Sequence, residues 1–211
     1  MLVSRRVGSY DPNIVDQSRS EANFLALDVL FSQLPHPEKK YTILDMGAAN
    51  HAKIEFFSTQ RCRLYIEDFY RLYVDQLNAV KREKLPPDPK RVLSCLQTYP
   101  DETNFDLLLF WDLFDYIDPQ DLKAIMHHLA PYCRRGTVLF FLTSALEHIP
   151  IEPAVFRIVD RTHLAYENKS PTTRRALGYT QTSLRKMLTG FKLHRGFRMS
   201  TGQEEHVFIK E

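Results

Sequence analysis

The residues best placed to do chemistry lie between Tyr41 and Asp68. An apolar strand built on Tyr41, Ile43 and Leu44 ends in Asp45-Met46-Gly47-Ala48-Ala49, a helical stretch follows, and a second strand ends in Glu67-Asp68. Small residues directly after a strand let the backbone turn tightly and approach a ligand. A carboxylate at the tip of the next strand, roughly twenty residues on, stands where a ribose diol is held. Types and spacing together point to a cradle for a nucleotide-type cofactor. Asp45 can order the loop through its amides or take an ammonium group through water. Glu67 and Asp68 alternate in direction, so only one faces the crevice; Asp68 is favoured, with N-capping of a helix from Phe69 as its competing role.

The elements that must position these groups alternate along the chain. After an aperiodic arm over residues 1–17, Phe24, Leu27, Leu30, Phe31 and Leu34 recur at helical spacing and predict a helix over 18–34, with Ser20-Glu21 in its first turn and Pro35-His36-Pro37 as its stop. The pattern then predicts strand 41–46, helix 51–59, strand 62–67, helix 70–82, strand 91–95, strand 105–111, helix 119–130 and strand 137–143. Such alternation implies a parallel sheet covered on both faces. Pro86-Pro87-Asp88-Pro89 reads as a surface connection. Residues 144–178 form a long segment with three prolines and an apolar piece at Ala154 to Val159, and a loop of that length in a compact domain is functional or disordered.

Composition narrows the function classes. The chain has 211 residues, 44% hydrophobic and 26% charged, which suits one globular domain over residues 1–211. It shows no apolar run of the roughly 18 residues needed to span a membrane and no signal core after Arg5-Arg6, so a cytoplasmic protein is expected. The formal net charge of +2 divides into −3 over residues 1–150 and +5 over 151–211. The seven acids from Asp101 to Asp121, in a stretch without Lys or Arg, would repel a phosphate backbone, which argues against nucleic acid. Cys62, Cys95 and Cys133 read as reduced thiols, and no His, Cys, Asp and Glu spacing matches a metal site.

Beyond the residues themselves stands a resemblance. Ile43-Leu44-Asp45-Met46-Gly47-Ala48-Ala49-Asn50 and Cys62 to Asp68 are similar to the first two motifs of class I S-adenosylmethionine-dependent methyltransferases. Phe105 to Ile117, with Leu129 to Leu139, resembles that family's fourth strand, helix and fifth strand, and Tyr179 onward resembles its closing helix and hairpin. The glycine loop departs from the pattern at Ala49, Asn50 and His51, where further glycines are usual. The resemblance implies a doubly wound, mostly parallel α/β sheet of about seven strands with an antiparallel C-terminal hairpin. With the arm and helix read over 1–40, the chain then divides into a cofactor-binding core over 41–143, a lid or insertion over 144–178 and a closing helix and hairpin over 179–211.

The cofactor so implied is S-adenosylmethionine, held by Asp45, Gly47, Ala48, Ala49, Asn50, Glu67 or Asp68, Cys95, Leu96 and Trp111. Asp112, Tyr116 and His163 are the candidates for orienting or deprotonating a small-molecule acceptor. The competing expectation is a catalytically inactive domain of the same fold that binds a protein partner or regulates it, its altered loop no longer holding cofactor.

Overall fold

The computed structural model describes residues 19–33, 38, 40–84, 88, 90–199 and 201–211. The expected arm over 1–17, the stop at Pro35-His36-Pro37 and most of the connection at Pro86-Pro87-Asp88-Pro89 lie outside the described residues.

The chain builds β1 (Arg19–Asn23), α1 (Leu25–Gln33), β2 (Tyr41–Asp45), α2 (His51–Ser58), β3 (Cys62–Ile66), α3 (Phe69–Glu83), β4 (Phe105–Trp111), α4 (Pro119–Leu129) and β5 (Cys133–Ser144). It continues through β6 (His148–Pro150), β7 (Val155–Ile158), β8 (His163–Glu167), β9 (Thr173–Arg175), α5 (Gln181–Met187), β10 (Phe191–Arg198) and β11 (Gln203–Lys210). The central sheet has six strands in the order β10-β11-β5-β4-β2-β3. β2 runs parallel to β3 and β4, and β4 parallel to β5, while β11 lies antiparallel between β5 and β10. Strand order reverses between β2 and β4, and their carboxyl ends open the crevice where ligands of such sheets bind.

Every residue of β4 is buried, as its near-continuous apolar run requires of a strand covered on both faces. Alternation divides the core. Leu44, Leu108, Phe110 and Phe141 pack with α3, α4 and α5 on one face. Ile43, Leu109 and Phe140 pack on the other with α1, α2 and the apolar side of a three-stranded sheet β1-β8-β7.

Three expectations give way. Residues 19–23 are a strand rather than the start of a helix, because they pair along β8 from Arg19 with Glu167 to Asn23 with His163, and that ladder outweighs local periodicity. The first turn of α1 is served instead by the buried Glu205 of β11, whose Oε2 accepts the Ala26 amide at 2.6 Å. Residues 91–95 form a 3₁₀ turn, not a strand, which buries Val92 and Cys95 three apart and leaves six strands in the central sheet. The long segment over 144–178 carries β6 to β9: β7 joins β8 and β1, while β6 pairs with β9.

Candidate functional site

β2 delivers Asp45 to the switch point fully buried. Its Oδ1 accepts the Gly47 amide at 2.9 Å and the Trp111 indole N–H at 2.6 Å, and its Oδ2 pairs with Lys53 Nζ at 2.6 Å. Lys53, on α2, is itself 1% exposed and lies 5.2 Å from the Trp111 ring centre. Of the two roles considered for Asp45, the structure shows it ordering the loop. Gly47 is needed for space: a Cβ there would sit 2.6 Å from Trp111 Cδ1 and 3.1 Å from Lys53 Nζ. We expect Gly47→Ala to cost about 1–3 kcal/mol, the range for overpacking a close-packed site. Urea unfolding that matches wild type would rule out this contact.

Ala48 and Ala49 keep the outer side of the loop accessible, and Asn50 is half-buried. Asn50 is not left-handed: its backbone is extended, its Oδ1 caps α2 by accepting the Lys53 amide at 3.0 Å, and its Nδ2 donates to the Phe156 carbonyl at 2.8 Å.

At the tip of β3 the two carboxylates part ways. Glu67 is buried, and it accepts the Gln97 amide at 3.1 Å and the Tyr99 hydroxyl, whose pKa burial pushes up. Asp68 has φ +46° and makes no side-chain cap on α3; its carboxylate, about a third exposed, pairs with Arg71 at 2.8 Å. The capping role is therefore absent. Cys95 is buried in the same core cluster as Leu44 and Phe69, a correction to its placement at a ligand, while Leu96 stays partly exposed. Trp111 also turns inward, with φ +50°, and stacks on Phe156 at 5.3 Å. A positive φ is an outlier for so bulky a residue, and strain of this kind clusters at functional sites.

Beyond Trp111, a cavity of about 570 Å³ opens at the ends of β4 and β5, lined among others by Asp112, Asp115, Tyr116, Thr143, Tyr166 and Gln203. Asp112 Oδ2 accepts the Ala154 amide at 2.9 Å, and Asp115 Oδ2 accepts the Ser144 amide at 2.7 Å. Burial pushes each carboxyl up to about 7, against the lowering effect of those amide bonds. The Tyr116 hydroxyl donates to the Pro150 carbonyl at 3.1 Å, and burial, with Asp112 and Asp115 beside it, raises its pKa as well. Tyr70 reaches the Ile151 carbonyl at 3.5 Å. Residues 150–156 are thus tied to both rims of the crevice, by Asn50 and Tyr70 on one side and by Asp112 and Tyr116 on the other.

His163 is not part of this group. It pairs with Asn23 in the three-stranded sheet and its ring contacts Asp160 at 3.0 Å, so the structure unites Asp112 with Tyr116 and corrects the third candidate. Lys53, Phe156, Asp115 and Gln203 escaped sequence reasoning. Asp115 alone left a signal, being three residues past Asp112 just beyond the end of a buried strand.

Searches of family models and of curated proteins find no match for this chain. Solved structures do. Several of the matching structures are methyltransferases. One, from Clostridium acetobutylicum, is 13% identical with a TM-score of 0.49, the alignment covering 88% of this chain and 89% of that one. A TehB-like enzyme from Corynebacterium glutamicum is 12% identical with a TM-score of 0.47, covering 88% and 87%. The glycopeptide N-methyltransferase MtfA, complexed with S-adenosyl-L-homocysteine, is 11% identical with a TM-score of 0.48, covering 88% and 89%. Among the described residues no helix is long and apolar enough to cross a membrane.

Proposed function

We propose that this chain transfers a methyl group from S-adenosylmethionine to a small-molecule acceptor. The observation that carries the reading is a loop of small residues after β2, at the strand-order reversal between β2 and β4, with a cavity holding buried carboxylates one strand further on, at the ends of β4 and β5. The residues present fit such a cofactor on the outer side of the loop, since the inner side is filled by Trp111 and Lys53. There Gly47 to Asn50 would take its amino-acid portion, Asp68 would accept the ribose hydroxyls, and Leu96 would border its base.

The bound cofactor supplies an already activated methyl group, so the protein has mainly to align and enclose. Residues 150–156 exclude water from above the crevice. Tyr116 borders the acceptor. Asp112, with a pKa near neutrality, is suited to hold the acceptor's proton at Oδ1.

Calorimetric titration with S-adenosylmethionine tests the reading. Wild type should bind, and Asp68→Ala should weaken binding roughly ten- to a hundredfold, because charge-assisted hydrogen bonds worth about 1.5–3 kcal/mol are lost. Bound cofactor should also protect residues 144–178 from limited proteolysis. No wild-type binding at millimolar cofactor would instead favour a non-catalytic, partner-binding module.

A further inference from the structure

Among the described residues, three acceptor atoms on side chains that line the cavity at the ends of β4 and β5 have no partner. Asp112 and Asp115, 9% and 2% exposed, are each fixed through Oδ2 to one backbone amide, and among the described residues their Oδ1 atoms have no hydrogen-bond partner. The Oε1 of Gln203, which also lines the cavity, is likewise buried and unpartnered. Buried polar atoms are satisfied in folded proteins almost without exception, so three orphans on one cavity call for a donor from outside the chain.

The donor's chemistry follows from the set. Two carboxylates repel an anion. A resident metal ion is disfavoured too, because among the described residues no group of three or more His, Cys, Asp or Glu could hold one. A protonated amine carries three N–H donors and no acceptor, which matches three orphan acceptors in number and sign. Tyr116 and Tyr166 on the lining add aromatic faces that attract a cation. The cationic groups nearby are placed differently. The Arg174 guanidinium is committed to the Asp115 carbonyl and lies 4.8 Å from the Tyr116 ring centre, while Lys169 and His148 are both exposed on the lining. The two carboxylates therefore lie deep on the lining with one guanidinium beside Asp115, and Lys169 and His148 lie on its exposed part.

We propose that this cavity binds a small molecule through a cationic amine, held by Asp112 and Asp115 with Gln203, its less polar body lying along the two tyrosines. The inference deepens the proposed function, on which it rests for the statement that the amine is the acceptor once it has given one proton to Asp112 and so freed the lone pair that takes the methyl group; binding itself does not need the cofactor.

The test uses the full chain without cofactor and three probes of similar shape: 2-phenylethylamine, 2-phenylethanol and 3-phenylpropanoate, titrated by calorimetry. At about pH 8 the amine should bind at least roughly tenfold more tightly than the alcohol, and the carboxylate weakest, as charge-assisted bonds are about twice as strong as neutral ones. Affinity for the amine should fall towards about pH 6, where carboxyls with pKa values near 7 take up protons. Asp112→Asn and Asp115→Asn should each abolish the preference for the amine; if either fails to fold, the wild-type pH profile decides. Equal or tighter binding of the alcohol or the carboxylate, a flat pH profile, or no amine binding by wild type would overturn the proposal. Amine binding without S-adenosylmethionine binding would sink only the methyl-transfer reading, and the converse only this one.

Discussion

Lys53→Met should lower stability by about 3–5 kcal/mol, because it removes one member of a buried ion pair and leaves the other uncompensated. The pair is closed to water: Lys53 is 1% exposed and Asp45 is fully buried, with 2.6 Å between Nζ and Oδ2. For a domain of this size such a loss corresponds to a fall in melting temperature of roughly 10 °C. The double variant Asp45→Asn, Lys53→Met should be less destabilised than the sum of its parts. Asparagine keeps an acceptor for the Gly47 amide and the Trp111 indole while removing the stranded charge. Chemical denaturation of the four proteins measures the coupling. A single Lys53→Met variant as stable as wild type would show that the ion pair makes no net contribution.

Asp112→Asn should stabilise the protein at high pH and not at low pH. The folded pKa of Asp112 is raised from 3.8 to about 7, chiefly by burial. Below the unfolded value both states are protonated and the folded state incurs no penalty. As pH rises from there towards 7 the unfolded chain loses its proton first, so stability falls, and above about 7 the loss is complete. Three pK units correspond to up to about 4 kcal/mol. The variant should therefore exceed wild type by that order at about pH 8, with the gap closing as pH drops to about 4. His206 works in the opposite sense, since burial lowers its pKa to about 4 and its contribution is lost as pH falls through that value. It is present in both proteins and cancels in the difference. A gap independent of pH would mean that Asp112 does not titrate in this range.

How much of this was legible beforehand depends on the range of the interaction concerned. The alternation of β2, α2, β3, α3, β4, α4 and β5 could be read because each element carries its own periodicity, and the buried run from Phe105 to Trp111 marks a central strand without outside help. β1 could not be read, since Arg-Ser-Glu-Ala-Asn has no strand pattern and is extended only because β8 lies beside it. The turn at 91–95 is the reverse case. Its residues suit a strand, yet the central sheet in this structure ends at β3, and without a ladder partner they bury Val92 and Cys95 through a 3₁₀ turn instead.

The site divides along the same line. Local sequence determined that a small-residue loop follows β2, that carboxylates stand at the tips of β3 and β4, and that residues 144–178 are too long for a plain connection. Tertiary structure alone decided which of those groups remain free for a ligand. Glu67 is taken up by Tyr99, 32 residues away, Asp45 by Trp111, 66 away, and Asn50 by the Phe156 carbonyl, 106 away. Among the described residues, Asp112 and Asp115 keep one oxygen each without a partner. The physical reason is that a residue's type sets what bonds it can make, whereas burial and distant neighbours set which of those bonds are already made.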